Sequence, residues 1–334
     1  AEYGILITGL IILLAATCVI ALCAGQYSVS VPEVIKILAS RFVNVTKTWS
    51  NTAEGVVFTL RLPRMIGAVL VGSALSLSGA AYQGVFKNPL VAPDLLGVSS
   101  GACVGASVAI LLHLNSFGVQ AMAFVAGILA VGLTLFIPRL IKNTNMTMLV
   151  LSGIIVKGIM DSVMGIIKYV ADPETELQSI TYWQLGSLTK VLPRDLFTVG
   201  PVIIAASVII FLLRWRINIL SLGDREAKTL GVSVTVVRNF IIICATLLTA
   251  SAVCISGTIG WIGLVIPHFA RMLTGPDNTK AIPASILIGA IFMVAIDTLA
   301  RALTSVELPL SILTGIIGAP FYIIILARQR MKLS

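Results

Sequence analysis

The sequence predicts an all-α integral membrane protein with about ten transmembrane helices. Three observations lead there. Only 11% of the 334 residues are charged and 57% are hydrophobic, whereas soluble domains carry about 25% charged residues. Apolar stretches able to cross about 30 Å of hydrocarbon, at about 1.5 Å per residue, recur along the whole chain. Lipid offers no partner to a free backbone N–H or C=O, so those stretches must be helices.

The spans fall in order near 4–25, 61–83, 94–114, 119–138, 147–170, 197–214 and 235–256. A shorter one, 259–273, holds Pro267, and 281–302 and 309–328 complete the set. The first run, from Gly4 to Gly25, has no basic segment before it and is too long for the core of a secretion signal, so it reads as a span. An even number of spans puts both termini on one side. Lys and Arg are in excess there, among them Arg139, Lys142, Arg216, Arg225, Lys228 and Arg238, which makes that side the cytoplasm. Two longer outer segments, 26–60 and 171–196, contain amphipathic stretches such as VPEVIKILASRF and are expected to form short surface helices. Glycines at close intervals (Gly97, Gly101, Gly105; Gly257, Gly260, Gly263) predict tight helix packing. Residues 1–334 read as one transmembrane domain.

Several function classes are excluded. The five cysteines (Cys18, Cys23, Cys103, Cys244, Cys254) lie in or beside apolar runs without a CxxC, and read as packing residues. His113 and His268 are isolated, so no metal or other cofactor is expected on this chain. The net charge of +9 matches membrane topology and anionic lipid; no basic run is interleaved with aromatics, so nucleic acid is not a partner. No Gly-Lys pair occurs, which rules out a G-x-x-x-x-G-K-[ST] phosphate loop. Any ATP energy must therefore arrive through another polypeptide.

Charge concentrates in SLGDREAKTLGVS, 221–233, within a cytoplasmic segment of about 216–233. Asp224 suits an N-cap, Gly231 the left-handed position after a helix, and Ser233 the cap of the next span. Arg225, Glu226, Ala227, Lys228, Thr229 and Leu230 then form a short polar helix held at both ends, against the plainer reading of a solvated loop. Elsewhere, Asn88 before Pro89 breaks any helix, and Asp94 after Pro93 suits the cap of the third span. Arg61 and Arg64 flank Pro63 at the outer start of the second span. Arg301 ends the ninth, one turn after Asp297, to which an i,i+4 pair would tie it. Lys157 and Asp161 share one face inside the fifth span, either as a neutralised pair or as the lining of a pathway for charged cargo.

Four stretches resemble one known family: RLPRMIGAVLVGSALSLSGAAYQGVFKNPLVAPDLLGVSSGA (61–102), SLGDREAKTLGVS, GTIGWIGLVIPHFAR (257–271) and ELPLSILTGIIGAPFYIIIL (307–326). The chain resembles the permease subunits of type II ABC importers, the vitamin B12 and ferric-siderophore (BtuC/FecCD-like) transport family. The resemblance implies a BtuC-like permease fold and a homodimer in a bacterial or archaeal inner membrane. It also implies two cytoplasmic ATPase subunits that carry ATP and magnesium, and an external substrate-binding protein. It makes Leu222, Gly223 and the residues from Asp224 to Gly231 the coupling element. Arg61, Arg64 and Arg301 become docking residues for the binding protein. Asn88 and Leu90, with Asn145, Met146 and Thr147, become the cytoplasmic gate. The cargo would be a metal chelate, first a ferric siderophore, with cobalamin, haem and molybdate-type oxyanions as alternatives. The chain itself would be no enzyme. Two rivals are an ion-coupled secondary transporter using Lys157, Asp161 and Asp297, and a non-transporting receptor or assembly factor.

Overall fold

Among the described residues, seven helices are long and apolar enough to cross a bilayer, and three shorter apolar helices bring the set to ten. The computed structural model describes residues 2–143, 145–303 and 306–333, without the side chains of 325, 326 and 328–333. The chain begins with α1 (Glu2–Cys23) and the surface helix α2 (Val31–Ala39). Next, α3 (Asn51–Gly55) runs through a π-helical turn, Val56–Arg61, into α4 (Leu62–Phe86). A 3₁₀ turn, Pro93–Leu96, leads to α5 (Val98–Leu111), α6 (Ser116–Leu140), α7 (Met146–Val170) and the surface helix α8 (Glu176–Leu185). Then come α9 (Pro193–Leu222), the short α10 (Asp224–Thr229), α11 (Val234–Ser256), α12 (Ile262–Thr274), α13 (Asn278–Ala302) and α14 (Leu310–Leu333). No described residue is in a strand.

The two amphipathic outer segments do form helices. Ser30 N–H donates to Glu33 Oε2 at 3.3 Å, a start signal for α2. Val34 and Ile37 of α2 then pack with Trp49, Ala53 and Val57 in a satellite core of their own.

At the centre, α4 and α11 are buried over most of their lengths. Small residues let other helices close on α4. A Cβ at Gly79 would stand 1.8 Å from the carbonyl oxygen of Gly263 on α12, and one at Gly72 2.2 Å from that of Gly289 on α13. Backbones this close gain dispersion contact that lipid-facing side chains cannot supply.

Two packing expectations need correction. Gly97 does touch α7, where a Cβ would stand 3.5 Å from Val156 Cγ1, but from the left-handed turn (φ 79°) that separates the 3₁₀ turn from α5 and not from within a helix; Gly101 and Gly105 press on α6. Gly257 and Gly260 lie in an irregular passage, and the helix starts only at Ile262; Gly257 still packs tightly, with a Cβ position 2.2 Å from Trp183 O, whereas one at Gly260 meets nothing within 4 Å. Residue spacing is the same in a helix and in a coil, so spacing alone could not separate them. Trp261, at φ 71°, closes that passage against Gly318 of α14.

Gly79→Ala is expected to lower stability by about 1–3 kcal/mol or more, because the added methyl must force α4 and α12 apart. Gly132→Ala, where a Cβ meets nothing within 4 Å, should be neutral or slightly stabilising. Thermal unfolding midpoints of the two variants in detergent check this.

Candidate functional site

The end of the molecule that carries α10 also carries the turn 87–92, the end of α6 at 140–143, the start of α7 at Asn145 and the turn 274–278, because successive spans alternate in direction. There α9 stops at Gly223, whose φ of 140° only glycine adopts without strain. Leu230 ends α10, and Gly231 (φ 76°) donates its N–H to Lys228 O at 3.0 Å while Val232 N–H reaches Ala227 O at 3.0 Å. This double bond pattern is the Schellman closure, so α10 is locked at its C-terminal end.

The predicted caps at the other positions are not used. Gly223, not Asp224, is the N-cap, and Ser233 makes no side-chain cap to α11. Asp224 instead accepts from Arg238 Nη2 of α11 at 2.6 Å. That bond, with the nearby charges of Arg238, Lys87 and Lys228, holds the Asp224 carboxyl below its usual range against the opposing effect of burial. A lowered folded-state value means that the contact is complete above about pH 4 and is lost as pH falls further. At neutral pH the anchorage of α10 does not vary with pH.

Ala227 is the one residue of α10 that is fully buried. Asp224, Arg225, Glu226, Lys228 and Thr229 face outward, and exposed Leu222 and Leu230 flank them. The outward face of α10 thus carries both signs of charge beside two exposed leucines.

Lys87, close enough to act on Asp224, is the left-handed end of α4 (φ 52°) and opens the irregular loop to Ala92. Asn88 Oδ1 accepts from Leu90 N–H at 2.9 Å, which turns the loop and leaves Leu90 exposed. Asn145 caps α7 by accepting from Met148 N–H at 2.7 Å, with Met146 and Thr147 in its first turn. Both sets of gate candidates therefore sit at helix ends on the α10 side.

Between α5, α7 and the 257–261 passage lies a cavity of about 540 Å³. Lys157 and Asp161 both line it, but Lys157 pairs with Asp94 Oδ2 at 3.1 Å, not with Asp161. Asp94 also accepts from Ser99 N–H at 3.0 Å, the cap that its position suggested. Lys168, two further turns along α7, joins the wall with Ser99, Thr249 and Thr258. Sequence reasoning missed Lys168, although its spacing of 11 from Lys157 puts it on the same helix face.

The three arginines expected at an outer docking surface are buried. The π-helical turn before Pro63 swings Arg61 inward, where Nη1 donates to Leu22 O at 2.7 Å and to Cys23 O at 3.0 Å. Arg301 donates to Ala21 O. These carbonyls end α1 and lack partners in their own helix, and a helix C-terminus attracts cations. Arg64 holds both carboxylate oxygens of Asp297 at 2.9 Å and those of Glu307 at 2.8 and 2.9 Å. Asp297 is therefore tied to Arg64 and not to Arg301 as the i,i+4 spacing suggested, and it does not line the cavity. Glu307, unnoticed in the sequence, also accepts from Thr189 at 2.6 Å. Among the described residues no three His, Cys, Asp or Glu side chains gather into a metal-holding group.

The profile of the FecCD transport family matches residues 12–328. The molybdate import system permease protein MolB of Haemophilus influenzae is 37% identical over 96% of this chain and 95% of its own length. A probable iron chelatin transport system permease protein of Helicobacter pylori is 40% identical over 82% of this chain and 83% of its own. A solved structure, described as an inward-facing conformation of a metal-chelate type ABC transporter, superposes with a TM-score of 0.87 at 35% identity, over 97% of this chain and 99% of that one.

Removing the Arg64 guanidinium leaves a buried carboxylate unpaired, so Arg64→Met is expected to cost about 3–5 kcal/mol. Adding Asp297→Leu should return most of that loss. Unfolding midpoints of the single and double variants decide it; a double variant no more stable than the single contradicts the pairing.

Proposed function

The chain belongs to the FecCD transport family, a multi-pass permease of the ABC-importer type, and from that premise we propose that it forms a homodimer worked by two cytoplasmic ATPase subunits. The observation that carries the proposal is α10: a short helix, locked at both ends, whose charged face is free for a soluble partner. ATP closure of the ATPases pushes on Leu222–Gly231, and the tightly packed α9 and α11 take up the displacement. Asn88 and Leu90, with Asn145, Met146 and Thr147, form the gate on that side. The side is the cytoplasm and holds both termini; the membrane is the inner membrane of the cell. ATP and magnesium belong to the partner subunits.

An external binding protein delivers cargo to the opposite end. Arg61, Arg64 and Arg301 serve its docking indirectly, by fixing the end of α1 and the 306–309 turn, because their own charges are consumed inside the chain. The cargo is a metal chelate, with a ferric siderophore first, since a curated relative of high identity is named for iron chelatin. The cavity of about 540 Å³ has the walls such a ligand needs: hydroxyls for its oxygens, and Lys157, Asp161 and Lys168 for its charges. An ion-coupled mechanism is disfavoured by the capture of Asp297 in the Arg64 pair.

Reconstituted with its ATPase and binding protein, the permease is expected to import radio-labelled ferric chelate only when ATP is present on the ATPase side. Collapse of the proton gradient with a protonophore should leave the rate unchanged; a rate that follows the gradient instead would favour the ion-coupled rival. Lys157→Ala combined with Asp161→Ala should slow import or change the preference between ferric chelate and molybdate. An unchanged rate and preference remove both residues from the pathway.

A further inference from the structure

Gln83 sits near the end of α4, buried among Gly and Ala neighbours. Its side chain is a junction. Nε2 donates to Val91 O in the gate loop at 3.3 Å and to Leu264 O of α12 at 3.2 Å. Oε1 accepts from Arg271 Nη1 of α12. Its backbone carbonyl accepts from the N–H groups of Lys87 and Asn88 as well. The gate loop is therefore fastened to Gln83 at both its beginning and its end.

From Arg271 the contacts continue toward α10. Arg271 Nη2 reaches Asn278 Oδ1 at 3.5 Å, and Asn278 N–H donates to Asn218 Oδ1 of α9 at 2.8 Å. Asn218 Nδ2 closes the group on Asp277 Oδ1 at 2.6 Å. Asn218 lies one turn before Leu222, where α9 hands over to α10. No described carboxylate stands within ion-pair distance of Arg271. Its charge is spent on neutral amides and on Ala80 O at 3.3 Å. A cation spent on amides alone is a costly way to hold two helices together. It yields a directional link whose partners must move together, since a buried polar group left behind without its partner is destabilising.

We propose that Gln83 and Arg271 are positioning residues of the gate: with Asn278 and Asn218 they form a buried polar relay that converts displacement of α10 into displacement of the loop 87–92. The proposal rests on the importer reading. A rigid tie is needed because the gate loop is not helical and would otherwise bend without following α9.

Gln83→Glu separates the two halves of the junction. The carboxylate still accepts from Arg271, but it has no N–H for Val91 O. Asn218→Leu cuts the relay at the other end, beside α10. In the complex with its ATPase, spin labels at Leu90→Cys in the two copies report the gate by pulsed distance measurement, with and without magnesium, ATP and vanadate. The unsubstituted relay is expected to give two nucleotide-dependent distance populations. Gln83→Glu should lower the unfolding midpoint, since Val91 O and Leu264 O lose their donor, and, in the fraction that stays folded and still hydrolyses ATP, weaken the population shift at least about fivefold. Asn218→Leu should do the same, and the double variant should lose no more than the worse single, because both sever one chain of contacts. A parent that responds together with variants that respond equally, or losses that add, overturns the relay. A parent whose gate ignores nucleotide overturns the importer reading instead. Should Gln83→Glu fail to fold, Asn218→Leu alone decides, by the same shift.

Discussion

Every break in a helix at membrane depth frees N–H and C=O groups that lipid cannot satisfy, and this constraint organises the structure. The chain breaks its helices repeatedly and supplies a partner each time. At the end of α1 the carbonyls of Ala21, Leu22 and Cys23 find Arg61 and Arg301. After α4 the loop is held by Gln83 and Asn88. At the Gly97 turn Asp94 accepts the free N–H of Ser99. Past α11, Ser256 O accepts from Ser187 N–H at 2.8 Å, and Thr258 donates to Gln184 O. Several buried polar side chains of this apolar chain are thus committed to backbone groups that the breaks leave free.

The charged side chains of α10 and the cavity are placed with economy. On α10 the outward charges are bracketed by Gly223 and Gly231, both at positive φ where glycine is favoured. In the cavity, Asp161 and Lys168 stand on the face of α7 that also bears Lys157. The breaks coincide with the elements proposed to work: irregular backbone forms the proposed gate loop, the cavity wall and both ends of the proposed lever, α10. A straight-helix bundle of the same composition would have no loop to open and no short helix to push.

What was legible in the sequence follows from the range of the interactions. Hydropathy located the apolar helices, seven described ones long enough to span and three shorter, since membrane thickness acts on each segment separately. Gly231 and the Asn88-Pro89 break were readable because φ restrictions are local. The roles of Arg61, Arg64 and Arg301 were not, because their partners lie as far as 233 and 280 residues away and nothing local names them. Asp94 and Lys157, 63 residues apart, escaped for the same reason, and the nearer Asp161 took the place of the true partner. Asp224 was misread as a cap because a carboxylate at a helix start has two competing uses, and Arg238 on the next helix won. Gln83 gave no signal at all: one amide on a small-residue helix looks like any other until the loop and α12 close around it.

Import itself tests most directly the claim that this permease is driven from below through α10. Asp224, Arg225, Glu226 and Lys228 are replaced together by alanine, the fold is verified, and ATP-driven uptake of ferric chelate by the reconstituted complex is compared with the parent. The account predicts that uptake collapses while the cavity and the membrane spans remain intact. Uptake at the parental, ATP-dependent pace would contradict it.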